Sequence, residues 1–236
     1  MQDHIVSAYS AELELLDTKI ATMGGLAEQM LGRSFEALER RDPDLAASVV
    51  ERDQDIDDLQ TELEEQVVQM IARRQPMAND LRQIMAATKI AGDLERSGDL
   101  AKNIAKRAAA IADQSPPMPL ISGLRRMSEL AMRQLKDVLD AYAERDAHSA
   151  VAAWRNDEQI DATYNSVFRE LLTYMMEDPR TIGMCTHLLF AAKNLERVGD
   201  HATNIAETIH FLVIGDPLPN DRPKGDTTST TLIRHS

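Results

Sequence analysis

The chain has 236 residues, 43% of them apolar but only 4% aromatic, and a formal net charge of −13. That length fits one large domain or two of roughly 110 residues, and apolar positions filled by Leu, Ala, Met, Ile and Val point to helical bundles rather than a β-sandwich. With a pI near 4.9, the surface repels a phosphate backbone except through a local basic patch, which argues against nucleic acid as a ligand. The lone cysteine, Cys185, excludes an intrachain disulfide and a cysteine-based zinc site. The opening residues lack a basic stretch followed by an apolar run, and no 18 consecutive apolar residues occur, so a soluble, cytoplasmic protein is expected.

In chain order, the apolar period of 3.6 residues predicts six long helices. The first carries Leu13, Leu16, Ile20, Met23, Ala27 and Met30 and runs to Arg40, where Asp42 is placed to cap and Pro43 to open the next helix. The second carries Leu45, Val49, Ile56, Leu59, Leu63, Val67 and Met70 and ends before Pro76. A third follows from about Met77 to Asp113, closed by Ser115-Pro116-Pro117-Met118-Pro119, a stretch that cannot be helical. Three more are expected from about Leu120 to Arg145, His148 to Met176 and Arg180 to Ile214. Residues 215–236, rich in Pro and Thr without periodicity, read as a disordered tail.

The second set of helices repeats the first. LERSGDLAKNIAKR at 94–107 and LERVGDHATNIAET at 195–208 agree at nine of fourteen positions without a gap. Upstream, DQDID at Asp53 to Asp57 matches DEQID at Asp157 to Asp161, and Arg41-Asp42 matches Arg145-Asp146. Shared heptad composition repeats Leu and Ala, but it does not place Gly inside two helices at matched positions, where it costs about 1 kcal/mol relative to Ala. The fold class is therefore all-α: two tandem homologous three-helix bundles over residues 1–114 and 120–214, joined by a Pro-rich linker at 115–119, with six long antiparallel helices suited to an elongated arrangement.

Each half holds two acid pairs spaced four apart: Asp53 with Asp57 and Glu95 with Asp99, then Asp157 with Asp161 and Glu196 with Asp200. That spacing stacks both carboxylates on one helical face, where they repel and call for a counter-charge. Asn103 and Asn204 extend the line by a turn, and Arg96 and Arg197 sit beside the acids as intramolecular counter-charges. One reading is a solvated acidic face, since Glu95, Asp99, Glu196 and Asp200 lie off the main apolar stripes. The other is a groove, with Gly98 and Gly199 as its small residues, whose hard oxygen ligands suit Mg²⁺, Mn²⁺, Fe or Zn²⁺. Gly at these sites serves close helix packing equally well.

The duplicated LERxGD-x-x-x-N-I-A helix, the D-x-x-I-D segment before each copy and Asp80-Leu81-Arg82 resemble the PhoU family over about residues 5–214. The resemblance implies two three-helix bundles side by side, a cytoplasmic location, homodimers, and metal clusters on the Glu/Asp-x-x-x-Asp pairs. All eight acids match: Asp53, Asp57, Glu95, Asp99, Asp157, Asp161, Glu196 and Asp200. It also implies a non-enzymatic role in phosphate homeostasis. In that role the protein restrains the starvation response by connecting the ATP-binding subunit of a phosphate ABC transporter with a sensor histidine kinase, and meets the membrane only through these proteins. The halves are not identical: Ser97 is matched by Val198, Lys102 by Thr203 and Lys106 by Glu207.

Two other functions compete. A carboxylate-bridged di-metal oxidoreductase needs two Glu-x-x-His motifs on different helices, and only Glu207 with His210 supplies one. A metal-free coiled-coil scaffold needs nothing beyond the periodicity. No Gly-rich phosphate loop or His-based triad is present.

Overall fold

The computed structural model describes residues 2–218, with side chains from Ser10 onward. All of its regular structure is helical: α1 (Gln2–Arg40), α2 (Pro43–Arg74), α3 (Ala78–Ala110), α4 (Met118–Glu144), α5 (Ala147–Arg155), α6 (Asp157–Glu177), a 3₁₀ turn (Pro179–Thr181) and α7 (Ile182–Ile214). From residue 219, the expected tail lies outside the described residues.

The repeat is visible in the backbone. Arg41 and Arg145 both take left-handed φ values, 56° and 53°, and turn the chain after α1 and α4. Each is followed by a capping aspartate: Asp42 Oδ1 accepts the amides of Asp44 and Leu45 at 3.0 and 2.9 Å, and Asp146 Oδ1 accepts that of His148 at 2.8 Å. Glycine would adopt this φ without strain, but the arginine side chains have work elsewhere. Arg145 holds both oxygens of Asp17 at 2.8 and 2.7 Å, and Arg41 reaches Ser115 Oγ at 2.7 Å.

Two details depart from the sequence reading. The helix expected over His148–Met176 is interrupted at Asn156, where i→i+3 bonds from Asn156 N to Ala153 O and from Gln159 N to Asn156 O replace the regular ladder. Asn and Asp side chains compete with helical hydrogen bonding, and the Asn156-Asp157 pair lets α6 start afresh with Asp157 in its first turn. The linker is also shifted toward the N-terminus: α3 ends at Ala110, and α4 begins at Met118 and takes Pro119 into its first turn, where a proline lacks no needed amide.

Each half joins the other through helices paired with their own repeat copies. Antiparallel α1 and α4 meet through Asp17 with Tyr142 and Arg145, Gly24 against Leu139, Gly32 against Met132, and Glu39 with Arg125. Antiparallel α3 and α7 meet through Arg82 over the Phe211 ring, Asp93 with His201, and Arg107 over the Phe190 ring. Helix α2 flanks α1 and α3, while α5 and α6 flank α4 and α7. Apolar side chains accordingly form two cores that divide the molecule by end, not by repeat. One joins Met30, Leu31 and Ile104 to Leu124, Leu171 and Leu188, and the other joins Leu16, Ile20 and Ile90 to Leu135, Val138 and Ile205. Fully buried Leu, Ile and Met side chains each contribute about 1.5–3 kcal/mol, so much of each half's stability depends on the other half.

Within each half the outer helix approaches the inner one at a glycine of the LERxGD motif. A methyl group on Gly98 would lie 3.2 Å from two atoms of Ile56; on Gly199 it would lie 2.9 Å from Ile160 Cδ1, 3.0 Å from Asp157 Oδ1 and 3.2 Å from Gln134 Oε1. Ile56 and Ile160 are the isoleucines of the two D-x-x-I-D segments, so the motifs are pieces of one contact. Gly92 has nothing within 4 Å of the same position. Urea denaturation should show Gly92→Ala stabilising by about 1 kcal/mol through helix preference, whereas in Gly199→Ala overpacking of about 1–3 kcal/mol cancels or outweighs that gain. Equal stabilisation of both variants would contradict the close approach.

Candidate functional site

The glycine contact brings the acid pairs of each half together across two helices. In the first half, Asp53 and Asp57 on α2 face Glu95 and Asp99 on α3. Between them lies Lys102, whose Nζ donates to Asp53 Oδ2 and, at 2.5 Å, to Asp99 Oδ1. Burial opposes the charge on Lys102, but the hydrogen bonds and charges of these two aspartates outweigh it and hold the ammonium above the ordinary lysine range. Asp53 is buried, and its second oxygen, Oδ1, has no hydrogen-bond partner. Burial pushes the Asp57 carboxyl up, helped by the charge of Asp53 and opposed by Lys102. Glu95 is raised by burial as well, with Arg96 opposing and Asp99, Asp57 and Asp53 adding to the shift. Arg96 is a loose neighbour, 3.5 Å from Glu95 and 3.7 Å from Asp99 and well exposed, so the counter-charge expected from the motif arginine comes chiefly from Lys102.

In the second half Asp157, Asp161 and Glu196 are all buried, at 5%, 5% and 6% exposure, while Asp200 is partly covered. A simple solvated face is therefore excluded for these three acids and for Asp53: Asp53, Asp157 and Asp161 continue the buried stripes of their own helices beside Ile56 and Ile160, and α6 packs against α7 at Glu196, which the single-helix pattern places outside the apolar stripe. Asp157 occupies the first turn of α6, where the helix dipole favours a carboxylate, and Gln134 Nε2 approaches its Oδ1 at 3.4 Å. Lys193 pairs with Glu196 at 2.8 Å and lies 5.1 Å from the Tyr164 ring centre. At the position equivalent to Lys102 stands Thr203, buried, with its hydroxyl donating to the Asp200 carbonyl at 2.7 Å.

The asparagines that extend the acid lines do not join the clusters in the same way. Asn204 Nδ2 donates to Asp93 Oδ1 at 3.1 Å, and His201 Nδ1 donates to the same oxygen at 2.8 Å, which ties α7 to α3 across the two halves. The residues matching Asp93, His201 and Asn204 are Asn194, Leu100 and Asn103, so this clamp exists once. Sequence reading overlooked it, because it links positions over a hundred residues apart. The Glu207 and His210 of the lone Glu-x-x-His motif are engaged separately: Glu207 accepts from Trp154 Nε1 at 3.0 Å, and His210 Nδ1 donates to the Asp216 carbonyl at 3.0 Å.

For a metal ion, the two clusters differ in fit. Among the described residues no three His, Cys, Asp or Glu side chains converge on a common point as ligands. In the first cluster the place between Asp53 and Asp99 is taken by the Lys102 ammonium, so those donors do not suit a metal as they stand. In the second cluster the donors are hard oxygens, Asp157, Asp161 and Glu196 are buried, and Thr203 stands where Lys102 fills the first, so the donor chemistry fits a hard cation.

A family model for the PhoU domain matches the chain twice, over residues 20–108 and 124–209. The chain is 54% identical to the phosphate-specific transport system accessory protein PhoU homolog of Rhizobium meliloti over 227 residues, 96% of each chain. It is 40% identical to the phosphate-specific transport system accessory protein PhoU of Escherichia coli, covering 91% of this chain and 89% of that one. The crystal structure of PhoU from Pseudomonas aeruginosa has a TM-score of 0.85 at 38% identity, covering 88% of this chain and 100% of that one. The phosphate transport system regulatory protein PhoU from Streptococcus pneumoniae has a TM-score of 0.82 at 27% identity, covering 89% and 99%. Each family match spans one LERxGD helix and the outer helix packed on it, and the relatives align over nearly the whole chain, so this protein belongs to the PhoU family.

Proposed function

We propose that this protein is a non-enzymatic regulator of phosphate uptake: a helical adaptor that conveys phosphate sufficiency from a phosphate ABC transporter, through its ATP-binding subunit, to a sensor histidine kinase, and so restrains the starvation response. The observation that carries this reading is its alignment over more than nine-tenths of its length with phosphate-specific transport system accessory proteins. The architecture supports it. Charged outer helices cover shared apolar cores, and no helix among the described residues is long and apolar enough to cross a membrane. In this reading the protein works in the cytoplasm, as a homodimer, and reaches the membrane through its protein partners.

The second acid cluster is the metal site of this reading. Asp157, Asp161, Glu196 and Asp200 would hold a hard cation of the Mg²⁺, Mn²⁺, Fe or Zn²⁺ type, whose chemistry there is to neutralise clustered carboxylates and clamp α6 to α7. The di-metal oxidoreductase alternative loses ground because its single Glu-x-x-His motif is spent on Trp154 and on the end of α7.

Deleting the gene should raise a starvation-induced phosphatase several-fold in phosphate-rich medium, measured as hydrolysis of a chromogenic phosphate ester. Output as low as in the parent strain would sink the regulatory reading. After dialysis against Mn²⁺ and removal of free ion, Asp161→Asn combined with Asp200→Asn should retain less metal than the wild type, with far-UV circular dichroism unchanged. Equal metal content would remove the second cluster from consideration as a metal site.

A further inference from the structure

The two acid clusters are repeat copies that differ at one central position, Lys102 in the first and Thr203 in the second. We propose that Lys102 is a built-in cation that fills the first cluster in place of a metal ion, so that the first half is held together without metal and any metal dependence of the protein belongs to the second half. The second clause rests on the metal reading proposed above; the first stands on the geometry of Lys102 alone.

Lys102 links the two helices of the cluster. Its Nζ donates to Asp53 on α2 and to Asp99 on α3, one acid from each i,i+4 pair. A cation bridging the same helices through the same acids needs the volume that the ammonium fills. The lysine side chain is mostly covered, at 20% exposure, and that of Asp53 is at 9%, so this is not a screened surface pair worth little. A buried carboxylate deprived of its counter-ion is strongly unfavourable. Asp53 also has its Oδ1 buried without a partner, so loss of Lys102 leaves neither oxygen compensated. The remaining members, Asp57 and Glu95, add negative charge close by. A first cluster stripped of Lys102 is therefore a set of hard anionic oxygens on two adjoining helices, the donor chemistry that attracts a divalent cation.

The second half uses its lysine differently. Lys193, which pairs with Glu196, corresponds in the repeat to Gly92, and Thr203 directs its hydroxyl to a backbone carbonyl. Exchanging one residue thus converts the centre of the first cluster into that of the second, which makes Lys102→Thr the informative substitution.

The test is Mn²⁺ retention by the full chain after equilibrium dialysis, with helicity followed by circular dichroism. Lys102→Thr should gain bound Mn²⁺ that the wild type lacks, the gain should vanish when Asp99→Asn is added, and Lys102→Arg, which keeps the charge, should stay at the wild-type level. Asp99→Asn alone should leave wild-type Mn²⁺ content unchanged, and this comparison decides the matter even if Lys102→Thr fails to fold. Mn²⁺ lost from the wild type on Asp99→Asn would overturn the inference while leaving metal binding by the family intact. So would a folded Lys102→Thr protein that gains no Mn²⁺. A wild type that retains no Mn²⁺, beside a Lys102→Thr protein that does, would confirm the role of Lys102 and refute the metal reading of the second cluster.

Discussion

Close approach of an outer helix to an inner one at a single glycine is the constraint on which this structure turns. Gly98 receives Ile56, and Gly199 receives Ile160. A glycine inside a helix gives up about 1 kcal/mol relative to alanine, and here that loss lets a branched side chain seat against bare backbone. Because each isoleucine is flanked in its D-x-x-I-D segment by two aspartates, and each glycine is followed by the second acid of its own pair, seating the isoleucine also sets the four carboxylates of each half facing one another. The apolar contact and the acid cluster are therefore one structural unit, and the clustered charge is a cost that the packing imposes.

The halves answer that cost differently. The first draws Lys102 from within the cluster, one turn beyond Asp99. The second starts a new helix at Asp157, which places that acid in a first turn, brings Gln134 from α4 and pairs Glu196 with Lys193. The two repeat copies thus pose the same problem and meet it with different residues. Divergence also appears at the seam, where the Asp93, His201 and Asn204 clamp has no counterpart on the other side.

Pairing each central helix with its own repeat copy explains why neither half has a private interior. Antiparallel α1–α4 and α3–α7 contacts run from end to end, so each apolar core gathers side chains from both halves. A signal that shifts one outer helix is then felt in packing shared by both halves, since dense interiors transmit displacement poorly absorbed by voids.

Much of this was legible in the sequence. Periodicity gave the helical passes, Asp42 and Pro43 the start of α2, Arg41-Asp42 and Arg145-Asp146 the matched turns, and the nine shared residues of the LERxGD helices the duplication. All of these are local or periodic, and the physics that produces them acts within a few residues. Burial of Glu196 was not legible, because a single-helix wheel records which side is less apolar but not whether another helix lies over it; Asp53, Asp157 and Asp161 continue the apolar stripes of α2 and α6, but one helix alone does not show what meets them there. Nor was the choice between Arg96 and Lys102 as counter-ion, since both stand three residues from an acid and only the direction of α2 separates them. The sequence by itself determined the helices, their duplication and the eight acids. Tertiary packing alone decided which acids leave water and which cation meets them, because desolvation and charge pairing are set by what a helix packs against.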